Sequence, residues 1–328
     1  MSRIPRRVRA WGALMDRMRS MHVATMTDAD IARNQTLRHV PAPVKAVVFG
    51  PRVQGVVATD AVATRSTSRA GSGVPVRVYR RSKQGDRDRP LLLYFHGGGW
   101  TLFGGLDACD HLPSVLAARL DAVVVAVDYR LAPRHPHPAQ LDDCEDALLW
   151  AVDSASSLGA SPARVAVVGD SAGGHLAAAV TLRARRLGGP VLSAQALIYP
   201  VVSRSVDDAS MLENAGAPVL HRADMVRFLS LFTAEGAVAA APSPEAFPEE
   251  ADSLAGLPPA FVQLGSHDVL RDQGRRYTDR LEREGVAVRV AEYPDAPHGW
   301  VSYPRIMSPI FETATADLVA WLEDRLAP

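Results

Sequence analysis

A serine flanked by glycines is the first candidate for chemistry in this sequence. Residues 169–174 read Gly-Asp-Ser-Ala-Gly-Gly, which places Ser171 in the pattern Gly-x-Ser-x-Gly. An apolar run at residues 165–168 precedes the pattern, and an alanine- and leucine-rich segment from Ala172 to Leu187 follows it. This order predicts a buried strand, a tight turn and a helix. Such a turn lifts the serine oxygen above the sheet, where it can act as a nucleophile.

A serine hydroxyl is a weak nucleophile, and it needs a base with an acid behind it. His298 and Asp268 each follow an apolar strand pattern. They are therefore expected at the C-terminal edge of a parallel sheet, where ligands bind. Two other acids compete with Asp268. We expect Asp272 inside the next helix, and Asp295 too close to His298 in the chain to reach the far ring nitrogen.

A run of three glycines is the second chemical feature. Residues 96–100 read His-Gly-Gly-Gly-Trp and follow directly on an apolar strand pattern at residues 91–95. Consecutive glycines give the backbone unusual freedom and leave N–H groups open to a ligand. Together with the N–H of Ala172 at the start of its helix, these groups are candidate donors to a carbonyl oxygen that becomes negative during attack. We interpret His96 as a brace for this loop, and Asp170 as a partner of the loop rather than a catalyst.

The elements that position these residues alternate along the chain. Apolar strand patterns occur at residues 74–79, 91–95, 122–127, 165–168, 194–199, 259–265 and 286–293, with helical segments at about 107–120, 139–152, 172–187, 271–284 and 311–326. Alternation of this kind predicts parallel strands joined by crossover helices, with helices on both faces of the sheet. The fold class is therefore α/β.

Two segments depart from this alternation. Residues 1–50 hold apolar side chains at near-helical spacing, which predicts at least one helix that either packs on the body or covers an apolar pocket. Residues 203–258 hold a helix at about 222–233 and a proline-rich loop that includes Pro242 and Pro244. We interpret this second segment as an insertion above the sheet.

The composition excludes several classes of protein. Lys plus Arg and Asp plus Glu both number 36, so the net charge is zero and nothing overall predicts nucleic-acid binding. No apolar run approaches the ~18 residues of a membrane span. The basic start has too short an apolar part for a signal peptide, and Asp16 interrupts it. We therefore expect a cytoplasmic protein, and the sequence disfavours membrane association.

Taken together, these motifs resemble the hormone-sensitive-lipase-like (family IV) serine esterases of the α/β-hydrolase fold. The resemblance covers roughly residues 75 to 325 and includes Asp-Tyr-Arg-Leu-Ala-Pro at residues 128–133. It implies a mostly parallel central sheet flanked by helices. It also implies a division into an N-terminal cap segment, 1–50, and a hydrolase domain, 51–328, with a cap insertion at about 203–258. The implied site residues are the triad Ser171, His298 and Asp268, the oxyanion donors Gly98, Gly99 and Ala172, and the supporting residues His96, Gly97 and Asp170.

The resemblance implies a hydrolase without cofactor or metal that cleaves carboxylic esters through an acyl-enzyme. The expected partner is a small-molecule ester with an apolar, short- to medium-chain acyl group. A hydrolase of amides, lactones or carbamates would use the same triad, and a binding protein without activity could use the same fold. These alternatives stay open, as does a homodimer formed through an edge strand near the C-terminus.

Two positions depart from the pattern of the family. Gln273 replaces a carboxylate, so the nearby loop is expected to differ slightly, and Trp300 replaces a phenylalanine and is expected to narrow the site. Two other features have plain structural interpretations. We assign His135 and His137 to a structural loop rather than a metal site, and the acids at 142–146 to a solvated helix end.

Overall fold

The computed structural model describes residues 4–18, 22–65, 71, 73–82, 88–106, 109–234 and 245–328. The strands are β1 (Val56–Ala63), β2 (Val74–Arg81), β3 (Arg89–Phe95), β4 (Val123–Val127), β5 (Ala160–Asp170), β6 (Ala194–Ile198), β7 (Ala260–His267) and β8 (Val288–Pro297). The helices are α1 (Arg6–Asp16), α2 (Asp28–Asn34), α3 (Ala42–Val48), α4 (His111–Leu120), α5 (Ala139–Asp153), α6 (Ala155–Leu158), α7 (Ala172–Leu187), α8 (Ala209–Glu213), α9 (Arg222–Phe232), α10 (Arg271–Arg283) and α11 (Ser308–Arg325).

The strands form one eight-stranded sheet in the order β1-β2-β4-β3-β5-β6-β7-β8. From β4 to β8 every neighbouring pair is parallel, whereas β2 pairs antiparallel with both β1 and β4. Helices α4 and α11 share one apolar core with one face of the sheet, and α5, α7 and α10 share a second core with the other face. The predicted mostly parallel α/β sheet is thus confirmed.

Local sequence signals fix several of the element boundaries. Helix α7 spans the predicted residues and ends at Gly188, whose φ of 64° is a left-handed C-cap. Strand β1 was not predicted, because it is an edge strand with only two buried residues. Pro242, Pro244, and the start of the predicted helix at residue 107 lie outside the described residues.

The acids of α5 do not form the predicted solvated helix end. Asp143 is 1% exposed and binds Arg130 through both carboxylate oxygens. Asp142 and Glu145 both accept hydrogen bonds from Arg183, which is 4% exposed. The prediction is wrong because α5 packs against α7, so that Asp142 and Glu145 face Arg183 of that helix, while Asp143 faces Arg130 after β4. Paired in this way, buried charges are tolerated.

The two segments that depart from the alternation lie against each other. A short 3₁₀ helix at Val23–Thr25 packs on α9. Gln273 on α10 fixes the start of the 203–258 segment, since its side-chain oxygen accepts hydrogen bonds from Val202 N (2.8 Å) and Ser203 N (3.1 Å). Among the described residues, no helix has the length and apolar character needed to cross a membrane.

Candidate active site

Ser171 occupies a strained turn between β5 and α7. Its φ of 56° and ψ of −118° lie in a region that residues with a side chain rarely adopt. The neighbouring glycines make the turn possible. A Cβ atom on Gly169 would overlap the carbonyl group of Gly173, and a Cβ atom on Gly173 would overlap the carbonyl group of Phe95. The Gly-x-Ser-x-Gly pattern is therefore a steric requirement of this turn.

His298 connects Ser171 with Asp268. Its Nε2 atom lies 2.9 Å from Ser171 Oγ, and its Nδ1 atom lies 2.7 Å from Asp268 Oδ2. The second carboxylate oxygen accepts a hydrogen bond of 2.9 Å from Leu270 N. Because Asp268 accepts the Nδ1 proton, Nε2 is left with the lone pair that can take a proton from the serine. All three side chains are less than 10% exposed.

Neither of the two competing acids is hydrogen-bonded to His298. Asp272 accepts hydrogen bonds of 2.8 Å from Arg271 Nε and from Ser210 N. Burial acts to raise its pKa, but these partners prevail and hold the pKa below its ordinary value. Asp295 Oδ1 has no hydrogen-bond partner among the described residues. Of the three candidates, the structure brings Asp268 to His298.

The glycine loop after β3 lies beside the turn at Ser171. Gly98 and Gly99 have φ values of 113° and 59°. The carbonyl oxygen of Gly98 accepts hydrogen bonds from Thr101 N (3.1 Å) and Leu102 N (2.9 Å), whereas the N–H groups of both glycines donate to no described residue. On the side of the 203–258 segment, the ring of Phe228 packs so closely on Gly99 that a Cβ atom there would overlap it.

Asp170 joins the glycine loop to the turn at Ser171. Its Oδ1 atom accepts hydrogen bonds from Tyr94 Oη (2.6 Å) and Gly97 N (3.0 Å). The carboxyl group is 2% exposed, and this burial raises its pKa above the ordinary value, although both hydrogen bonds act in the opposite direction. Through this side chain the residue before Ser171 fixes the position of the loop.

His96 lies under the same loop and does not contact Ser171. Its Nδ1 atom is 2.7 Å from the carbonyl oxygen of Gly97, and its ring stacks on Tyr129 with centroids 4.3 Å apart. The hydroxyl group of Tyr129 donates to the carbonyl oxygen of His96 at 2.6 Å. Burial lowers the pKa of His96, which favours its neutral form. The residue thus has the contacts of a brace.

A cavity of about 420 Å³ opens onto Ser171 and His298. Most of its walls come from the N-terminal segment and from residues 219–228. The main apolar contributors are Trp11, Leu14, Met15, Met18, Val23, Met26, Leu37, Val40, Val44, Val48, Phe49, Leu102, Phe103, Val219, Leu220, Phe228 and Tyr303. An apolar wall of this kind suits a hydrocarbon chain.

Trp300 is not part of that wall, so the prediction that it narrows the site is wrong. Its ring is fully buried and packs perpendicular to Tyr199 with centroids 4.3 Å apart. Tyr199 in turn lies beside the ring of His298, with centroids 4.5 Å apart. The sequence could not reveal this orientation because it depends on the turn at Gly299, whose φ is 84°. The tryptophan supports the histidine from the core side.

A cluster of charged side chains connects the two segments that form the cavity. His22 lies between two carboxylates, with Nδ1 2.8 Å from Asp224 and Nε2 3.1 Å from Asp16. The hydrogen bond to Asp224 raises the pKa of His22 against the effect of burial. His221 stacks on His22 with centroids 4.0 Å apart. Sequence reasoning missed this cluster because His22 and Asp224 are about two hundred residues apart and belong to no motif.

The predicted structural loop at 135–138 packs against the core. His137 lies 5.1 Å from the ring of Phe232, and burial lowers its pKa to about 4. Among the described residues, the three side chains that approach each other closely enough to share a metal ion are Asp16, His22 and His221, and neither histidine of the loop is among them.

Comparisons with known proteins agree with this geometry. A family model described as alpha/beta hydrolase fold matches residues 92–302. Carboxylesterase NlhH of Mycobacterium tuberculosis is 41% identical over 250 residues, which cover 75% of this chain and 77% of that protein. The ethyl acetate hydrolase of Pseudomonas putida is 36% identical over 269 residues, covering 78% and 79%. A solved hyperthermophilic esterase from Pyrobaculum calidifontis matches 99% of both chains with a TM-score of 0.83 and 31% identity. This chain is therefore an enzyme of the α/β-hydrolase family, which confirms the prediction drawn from its motifs.

Proposed function

We propose that this enzyme is a serine carboxylesterase that forms an acyl-enzyme on Ser171. The observation that carries the proposal is the continuous hydrogen-bond chain from Ser171 Oγ through His298 to Asp268, with steps of 2.9 Å and 2.7 Å. The names of the relatives support the same reaction, since they include a carboxylesterase and an ethyl acetate hydrolase.

The reaction begins when Ser171 Oγ attacks the ester carbonyl carbon and His298 Nε2 takes its proton. The histidine then gives that proton to the departing alcohol, and a water molecule repeats the cycle on the acyl-enzyme. Asp268 holds the ring orientation and stabilises the imidazolium. Negative charge on the carbonyl oxygen is stabilised by hydrogen bonds from backbone N–H groups. The donors are Gly98 and Gly99, whose N–H groups donate to no described residue, and Ala172, the first residue of α7.

We propose short- to medium-chain acyl esters as the substrate class. The apolar wall of the cavity favours a hydrocarbon acyl group, and its volume of about 420 Å³ leaves room for several methylene groups. Residues 1–50 and 203–258 act as the cap of this cavity on the hydrolase domain. The packing of Val23–Thr25 on α9 supports their action as one unit.

Hydrolysis of p-nitrophenyl esters from acetyl to palmitoyl tests the proposal, with Ser171→Ala measured beside the unchanged enzyme. Turnover that peaks at short or medium chains and disappears in the variant supports it. Ser302→Ala is a matched control, because Ser302 lines the same cavity outside the proposed triad. Folded protein that hydrolyses no ester of the series contradicts the proposal, and comparison with matched anilides then separates an amidase from a binding protein.

A further inference from the structure

Exposed apolar side chains concentrate at the mouth of the cavity. Leu14, Met18 and Val44 line the cavity and are 49%, 46% and 48% exposed, and Val47, one turn along α3, is 58% exposed. Helix α3 reads Ala-Pro-Val-Lys-Ala-Val-Val and contains no buried residue. A cluster of exposed apolar groups of this kind is typical of a surface that meets an apolar partner.

The same segment is strongly basic, and the rest of the chain balances its charge. Residues 1–50 hold nine Lys and Arg, three Asp and no Glu, although acids and bases balance over the whole chain. The zero net charge of the whole chain conceals this asymmetry. Several of these arginines are exposed and form no ion pair with a described carboxylate: Arg6, Arg9, Arg17, Arg33 and Arg38.

Charge and apolar surface occur side by side. On α1, Val8, Gly12 and Met15 face the core, which leaves Leu14 on the outer side next to Arg17. Arg33 and His39 reach the cavity mouth from α2 and the following loop. Interleaved cations and exposed apolar groups on a helix are the pattern of an element that lies in a lipid–water interface.

From this placement we propose that α1 and α3 form a docking surface for a membrane with anionic lipid headgroups. Arginines contact the headgroups, and Leu14, Met18, Val44 and Val47 enter the acyl boundary. Charge complementarity favours this occupant over a second copy, because two such basic faces would repel each other. The inference rests on the proposed function in one respect: it presents esters dissolved in the membrane directly to the mouth of the cavity.

Vesicle flotation tests the docking surface, with the Ser171→Ala protein used throughout. We expect it to bind vesicles of phosphatidylcholine with about 30% phosphatidylglycerol, and to bind pure phosphatidylcholine far less. Binding to the anionic vesicles should fall steeply at about 0.5 M salt, because the attraction is screened. Since this protein has no proposed nucleophile, the result does not depend on whether the enzyme hydrolyses esters.

Variants on the proposed surface, compared with variants far from it, locate the membrane contact. Arg6→Gln and Arg9→Gln should each weaken binding about fivefold, the equivalent of one cation near an anionic surface. Val47→Ser should weaken it about three- to tenfold through lost apolar burial. The matched controls are Val191→Ser, 86% exposed and just before β6, and Arg283→Gln at the end of α10. Both precede the N-terminal ends of parallel strands, whereas Ser171 follows a C-terminal end, and neither variant should change binding. In the enzyme with Ser171, none of these changes should affect hydrolysis of soluble p-nitrophenyl acetate.

Three results would overturn the inference. The first is no binding of the unchanged surface to anionic vesicles. The second is an equal loss of binding in the control variants, which would place the contact elsewhere. The third is a stable dimer in solution, measured by sedimentation, that Val47→Ser dissociates, because the apolar face would then be covered by a second copy.

Discussion

The C-terminal ends of the strands and the wall of the cavity are built in different ways. At these strand ends, Ser171, Asp268 and His298 each directly follow a strand, and hydrogen bonds fix every one of them. The cavity wall instead comes from short helices with partly exposed side chains, such as Leu14 and Val44. We therefore expect the hydrogen-bonded residues at the strand ends to determine the reaction, and the more exposed cavity wall to determine which molecules reach it.

The largest effect should come from the proposed nucleophile. Ser171→Ala should lower kcat by about 10⁴- to 10⁶-fold, because the covalent pathway is lost while the remaining donors still bind the substrate. The midpoint of thermal unfolding should change little, since the hydroxyl group has no structural partner besides His298 among the described residues. Steady-state kinetics and a thermal melt check both statements. A variant that keeps more than a tenth of the activity would contradict the assignment.

The acid should give the next largest effect. Asp268→Asn should lower kcat by about 10⁴-fold, because an amide at this position stabilises the wrong tautomer of His298. Asp272→Asn, at the start of α10 just after this loop, is the matched control, and it should lower kcat by less than about tenfold. Measuring kcat of both variants with p-nitrophenyl butyrate tests this difference. Similar losses in both variants would mean that Asp268 has no special role.

The position of the glycine loop can be disturbed from the side of the cavity wall. Gly99→Ala should lower kcat by about 10²- to 10³-fold, as expected when an oxyanion donor is displaced. The cause is the overlap of the new Cβ atom with Phe228. Adding Phe228→Ala to Gly99→Ala should therefore recover part of the loss. If the second change brings no recovery, the strained φ of residue 99 is the cause, and the two regions are not coupled here.

The cavity wall should control selectivity with little effect on the reaction itself. Met26→Trp fills the apolar cavity, so kcat/KM should fall about fourfold for every methylene group that no longer fits. The value for the acetyl ester should stay nearly constant. Val226→Trp is the control, because Val226 is exposed on α9 and does not line the cavity. A uniform loss over all chain lengths would place the acyl group elsewhere.

The smallest effect concerns the pair of His22 and Asp224, which joins the N-terminal segment to the 203–258 segment. The hydrogen bond to Asp224 raises the pKa of His22 above 6.5, so the protonated form is favoured in the folded state. Its stabilising effect is therefore complete below about pH 6.5 and is lost as the pH rises through the raised pKa. The difference in melting temperature between the unchanged enzyme and His22→Gln should be largest near pH 6 and shrink towards pH 9. His39→Gln, at an exposed position, is the control, and a difference that grows with pH contradicts the assignment.

The sequence predicts the residues at the C-terminal strand ends well because the signals for these residues are local. The limits of α7, the glycines around Ser171 and the strands before Asp268 and His298 all follow from neighbouring residues. The features that escaped prediction depend on packing between distant segments. The orientation of Trp300 into the core, the pairing of the α5 acids with Arg183 and the position of His22 between Asp16 and Asp224 are such cases.

The most direct test of the account is covalent labelling of Ser171. The enzyme should be treated with one equivalent of an alkyl fluorophosphonate, digested and analysed by mass spectrometry. We expect one phosphonyl group per chain, on the peptide that contains residues 169–174. Labelling of His298→Ala should be much slower, because the proton of Ser171 then has no acceptor. Rapid labelling at another residue, or labelling of Ser171 at the same rate without His298, would contradict the claim that this hydrogen-bond chain carries the reaction.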